Sequence, residues 1–131
     1  MKGPQYVLLL LVAAVMGVAA AFKVADPESF ALAISNYNLL PRQALQPVAY
    51  LLPALEFVVA AALFHPSYRR AGWLLAGLLF VLFALVVGSA VARGLDVSCG
   101  CFGGAMTVSW YHLAGNLLLA AGCFWQFRKG P

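Results

Sequence analysis

The residues best placed to do chemistry are Cys99 and Cys101, in the run Ser98-Cys99-Gly100-Cys101-Phe102-Gly103-Gly104. Two extended residues cover about 6.6 Å, the upper limit of Cα separation for a disulfide, and a turn shortens that span. Gly100 can take the φ values such a turn needs. A bridge here closes a very small ring, so it stabilises little through loop entropy and reduces more readily than a structural bridge. That profile suits an exchanging dithiol. Arg93 and a helix N-terminus at Ser109 favour the thiolate, whereas Asp96 opposes it. Two other readings stand beside this one. The run is also compatible with a tight turn carrying passive thiols or a permanent bridge. A Cys-x-Cys pair can further grip Cu(I) or half a zinc site, yet only His65 and His112 are present and neither completes a ligand set, so no metal site is assigned.

Glu56 is the second feature, near the middle of the apolar run Gln46–Phe64. A carboxylate at that depth in a bilayer costs about 2.5–3.5 kcal/mol, so it must face other helices and find a partner. Lys23, Tyr50 and Asn116 are the partners open to it. Glu56, Lys23 and Asn116 therefore form a candidate intramembrane polar site. It handles protons, shapes a quinone or substrate pocket, or locks the helices together. His112 is placed to act as a base for a thiol or to sit as an interfacial histidine. Cys123, deep in an apolar run, should be inert.

These residues are carried by a very apolar chain: 64% of 131 residues are hydrophobic and 9% are charged. Soluble domains are about 45–50% apolar and 25% charged, so lipid must cover what the fold cannot bury. The eight Lys/Arg lie between the apolar runs and make no basic patch or stripe along the sequence, which argues against nucleic-acid binding. Four spanning helices are expected, at about 5–22, 46–64, 72–92 and 110–127. The first has a rival reading as a cleaved signal peptide, because Ala19-Ala20-Ala21 resembles a cleavage site. Between the first and second runs, Asp26 caps, Pro27 opens and Glu28 favours a short helix over about 27–38. Its stripe is Phe30, Ile34 and Tyr37, and Pro41 ends it. Pro53 should kink the second span. Ala84, Gly88 and Ala92 form a small-residue face on the third, and Asn116 suits an interhelical hydrogen bond on the fourth.

The fold class is thus all-α: an integral membrane four-helix bundle, a single domain over 1–131, with a short amphipathic helix between its first two spans. Lys2, Arg69, Arg70, Arg128 and Lys129 fall on one side. Lys23, Arg42 and Arg93 fall on the other, with Asp26, Glu28 and Asp96. The positive-inside rule then puts both termini in the cytoplasm of a bacterial inner membrane and the cysteine loop on the oxidising periplasmic or extracellular side.

Gly17, Lys23, Asp26-Pro27, Phe30, Tyr37, Leu40-Pro41, Leu52-Pro53-x-x-Glu56, Cys99-Gly100-Cys101-Phe102-Gly103, Ser109-Trp110 and Asn116 occur in an order that resembles the methylamine-utilisation protein MauE family. That family is similar to the wider DoxX-like group of four-helix membrane proteins. The likeness covers nearly the whole chain, and its most specific parts are the LPxxE and CGCFG elements. The resemblance implies a membrane protein that supports disulfide formation in, or export of, the small subunit of a periplasmic methylamine dehydrogenase, with methylamine itself a poor candidate substrate. Gly115 precedes Asn116 where the pattern leads one to expect a basic residue, which leaves any role of that charge without a carrier here. The expectation for function is redox maturation of a periplasmic thioredoxin-like or client protein. Cys99 and Cys101 exchange electrons, Gly100, Phe102 and Gly103 shape the turn, and a quinone enters only by analogy with other four-helix membrane oxidoreductases. The rivals are a non-enzymatic assembly or export factor, with CGCFG as a docking turn, and a small-molecule carrier centred on Glu56.

Overall fold

The computed structural model describes residues 3–36, 39–93 and 110–129. Among them the chain is entirely helical: α1 (Gly3–Ala25), α2 (Pro27–Asn36), α3 (Arg42–Phe64), α4 (Arg69–Ala92) and α5 (Trp110–Lys129). Tyr37 and the run 99–103, which contains both candidate catalytic cysteines, lie outside the described residues.

On α1, Leu9, Val12, Ala13, Met16, Ala19, Ala20 and Lys23 are buried, one stripe at helical spacing. The opposite face is no less apolar, with Val7, Leu10 and Leu11 at least half exposed. A helix that is apolar all round needs lipid on its free side. The same holds around the bundle, where Leu51, Leu85 and Leu118 are each more than 65% exposed. At about 1.5 Å per residue, α1, α3 and α4 each exceed the ~30 Å of a hydrocarbon core, and all three are long and apolar enough to cross a membrane. This is a membrane protein. The fourth long helix, α5, has 20 residues, and its apolar run is interrupted by Asn116 and Gln126. Leu9, Val12 and Met16 meet Val59 and Leu63 of α3, Trp73, Ala76 and Phe80 of α4, and Ala120 and Cys123 of α5 in one core.

Adjacent pairs fix the order of packing. α1 lies mainly against α3 and α5 lies against α4, the turn 65–68 joins the two pairs, and α1 closes the ring lightly against α5. α4 and α5 are antiparallel: a Cβ placed on Gly77 would stand 2.9–3.1 Å from the Phe124 ring, and one on Gly88 would stand 3.5 Å from Leu113. The small-residue face of α4 therefore receives α5. Its working members are Gly77, Ala84, which is buried, and Gly88, whereas Ala92, expected on the same face, is exposed. Arg69 Nε donates to the Leu63 carbonyl at 2.8 Å, closing the last turn of α3 across the α3–α4 turn.

α3 continues as one helix through Pro47 and Pro53. Pro53 is buried and supplies no N–H to the carbonyl of Ala49. α3 also starts four residues earlier than its apolar run, because Pro41, in an extended conformation, lets Arg42 open the first turn.

α2 begins at Pro27, directly after Asp26. Asp26 accepts hydrogen bonds from the Ser29 backbone N–H at 3.2 Å and from the Ser29 hydroxyl at 2.7 Å. Phe30 and Ala33 are its buried residues and Ile34 is half-buried, so the inward face turns slightly from the expected stripe.

Two outcomes are expected. Gly77→Leu overpacks the α4–α5 seam and lowers stability by about 1–3 kcal/mol. Adding Phe124→Ala should recover part of the loss. Gly17→Leu, at a position with nothing within 4 Å, should change little. Thermal unfolding in detergent reads all three. The second outcome concerns Asp26, whose pKa is held below the ordinary carboxylate value, first by the Ser29 hydroxyl and then by its N–H. The cap is complete above the unfolded pKa and is lost as pH falls through the lowered folded value. Hydrogen-exchange protection at Ser29 and Phe30 should therefore drop in acid, and Asp26→Asn should keep the cap but abolish that acid step.

Candidate functional site

Lys23 lies in the last turn of α1, and its side chain turns into the protein, where only 3% of the residue remains exposed. Its Nζ donates a hydrogen bond to Oε1 of Glu56, which is fully buried on α3. The same ammonium lies 5.1 Å from the ring centroid of Phe30 on α2 and 4.7 Å from that of Phe83 on α4. Four helices thus converge on one cation. An isolated charge in this medium costs several kcal/mol, and a carboxylate together with two ring faces offsets that cost from three directions.

The pair is incompletely satisfied. Glu56 Oε2 is buried with no hydrogen-bond partner among the described residues, as is Nε2 of Gln126 on α5. A carboxylate oxygen without a donor can accept a proton or a hydrogen bond from a further group. An anchored ammonium beside it can stabilise the negative charge that results.

Of the three partners open to Glu56 in the sequence, Lys23 meets it. Tyr50 points outward and is 60% exposed. Asn116 is half-buried on α5. The sequence marks Phe30 only as an apolar anchor of α2 and does not mark Phe83, since an aromatic residue in an apolar run carries no sign that it faces a cation. Gln126 was also missed, although an amide inside an apolar segment is itself a signal. Cys123 is a free thiol fully buried in the core, which suits the inert role expected of it.

Cys99, Gly100, Cys101, Phe102 and Gly103 fall outside the described residues, but the helices that bracket them do not. Because α4 and α5 are antiparallel, Ala92 and Trp110 stand at one end of the bundle. α1 runs in the same sense as α4. Leu8 lies beside Gly122, in the C-terminal half of α5, and Lys23 reaches Phe83, beyond the midpoint of α4. The Lys23–Glu56 pair and the departure of the cysteine segment therefore share one half of the molecule. At the opposite end, Arg70 lies over the Phe127 ring at 4.8 Å and Lys129 over the Trp125 ring at 4.0 Å.

Comparison with known proteins shows the family to which the chain belongs. The family model described as "Methylamine utilisation protein MauE" matches residues 1–128. Three proteins named methylamine utilization protein MauE are similar to the chain. The one from Methylophilus methylotrophus is 36% identical over 85% of this chain and 60% of its own length. The one from Paracoccus versutus is 35% identical over 89% and 64%. The one from Methylorubrum extorquens is 36% identical over 95% and 68%. The chain thus spans roughly three fifths to two thirds of the length of these relatives. No solved structure matches it. With the family model covering all but its last three residues, the chain belongs to the MauE family of methylamine utilisation proteins.

Proposed function

We propose that this chain acts in methylamine utilisation, as its relatives are named for doing, by supporting the redox maturation of a periplasmic partner rather than by acting on methylamine. In the proposed step, a thiolate of the partner attacks a Cys99–Cys101 disulfide and forms a mixed disulfide. The partner's second thiol then displaces the loop sulfur. The partner leaves oxidised, and Cys99 and Cys101 retain two electrons and two protons as a dithiol. Both termini lie in the cytoplasm in this reading and the cysteine segment outside it. The end carrying Arg69, Arg70, Arg128 and Lys129 holds the larger share of the cations, as the positive-inside rule requires.

The observation that carries the reading is the position of the buried Lys23–Glu56 pair, in the half of the bundle from which the segment with the two cysteines departs. Exchange needs proton traffic beside the thiols. Glu56 Oε2 is a proton acceptor held in place by Lys23. Asn116 belongs to the same candidate polar site, and Gly100, Phe102 and Gly103 shape the turn that presents the sulfurs.

Thiol trapping in membranes poised at graded redox potentials tests the exchange. A mixed disulfide with a periplasmic protein is expected, and Cys99→Ser/Cys101→Ser should abolish it while the chain still inserts. A bridge that stays closed across the whole range would overturn the exchange reading in favour of a docking turn. The pair has its own test. Lys23→Met alone strands the Glu56 carboxylate and should cost about 3–5 kcal/mol of stability. Lys23→Met/Glu56→Leu should regain most of that stability yet still lose thiol exchange. Full exchange in the double variant would reduce the pair to a structural lock.

A further inference from the structure

The end of the bundle away from the Lys23–Glu56 pair carries four cations on two neighbouring helices. Arg69 and Arg70 lie in the first turn of α4, and Arg128 and Lys129 lie in the last turn of α5. The Arg70–Phe127 contact at 4.8 Å places these two turns side by side. No carboxylate among the described residues pairs with any of these four cations. Three of them are instead held by groups that leave the charge unneutralised. Arg69 is fixed to the Leu63 carbonyl, Arg70 rests on the Phe127 ring, and Lys129 rests on the Trp125 ring. Arg70, Arg128 and Lys129 are exposed, and Trp125 and Tyr68 beside them are 52% and 61% exposed.

Cations restrained against rings and backbone, without an anion of their own, form a receptor for one. Its depth decides the source of that anion. Tryptophan and tyrosine settle at the headgroup level of a bilayer, and below them the outer faces of α4 and α5 are apolar, with Leu78 and Leu118 exposed. A ligand with a phosphate at the level of Trp125 and hydrocarbon along Leu78 and Leu118 meets both requirements. We propose that the seam between the start of α4 and the end of α5 binds an anionic phospholipid. Its phosphodiester is held by Arg70, Arg128 and Lys129, and its acyl chains lie along the seam. Arg69, tied to α3, couples that occupancy to the α3–α4 turn. Free phosphate offers the charge without the hydrocarbon and does not fill the site.

Native mass spectrometry and thermal unfolding of the purified full chain test this. Detergent micelles are doped with dioleoylphosphatidylglycerol, with dioleoylphosphatidylcholine, or with inorganic phosphate. Phosphatidylglycerol should remain bound at one lipid per chain and raise the unfolding midpoint; the other two should do neither. Arg128→Gln/Lys129→Gln removes two cations, each worth about tenfold or less in affinity, and should weaken phosphatidylglycerol binding by roughly 30-fold. Its midpoint in phosphatidylcholine should be unchanged. If the double variant fails to fold, Arg128→Gln alone should give a smaller loss in the same direction. Arg42→Gln, at the other end of the bundle, should leave lipid binding intact. Equal binding of the two lipids, an equal shift from inorganic phosphate, or full phosphatidylglycerol binding by the variants would overturn the proposal.

Discussion

An ammonium cannot stay inside a bilayer unless something answers its charge, and the arrangement around Lys23 follows from that requirement. Its stem leaves the last turn of α1 and turns inward, so that only 3% of the residue stays exposed. Glu56 takes the charge, which fixes how α3 lies against α1. Phe30 supplies one ring face, which holds α2 down, and Phe83 supplies another, which brings α4 in. Four elements that share little sequence logic are thereby committed to one point. The apolar contacts elsewhere are interchangeable between many packings, since lipid tails are as apolar as leucine. The pair is not interchangeable, and it selects among them.

The second organising contact is steric. Gly77 and Gly88 remove side-chain bulk from one face of α4, and Phe124 and Leu113 of α5 occupy the space. With no hydrophobic effect between helices in lipid, close approach and dispersion must supply the association. The two kinds of contact divide the work: the small-residue seam joins α4 to α5, and the charge joins α1, α2, α3 and α4.

Much of this was legible in the residues. The long apolar runs located the helices, since 17 or more apolar residues have few other fates. Asp26-Pro27 marked the start of α2 because both residue types act at a helix N-terminus for local reasons. Glu56 announced that it needed a partner, and Lys23 was within its reach. What could not be read was which face of each helix turns inward. A run that is apolar all round has no period from which to infer it, so the rings of Phe30 and Phe83 gave no hint of their cation and Tyr50 looked as good a partner as Lys23. α1 extends past its apolar run at both ends, α3 and α4 at the start and α5 at the end, because the polar flanks of a span continue the backbone pattern after the apolar signal stops. The polarity of α5 was visible as isolated residues, but only packing shows that Gln126 faces the core.

The pairing of helices carries a consequence for biogenesis. α1 with α3, and α4 with α5, are the intimate partners, and the cysteine segment connects the two members of the second couple. Each helix satisfies its own backbone, and each couple buries its closest contacts within itself, so the chain is suited to insertion as two successive hairpins that dock afterwards. The second hairpin, with its glycine-lined seam, would then be complete before the two halves meet.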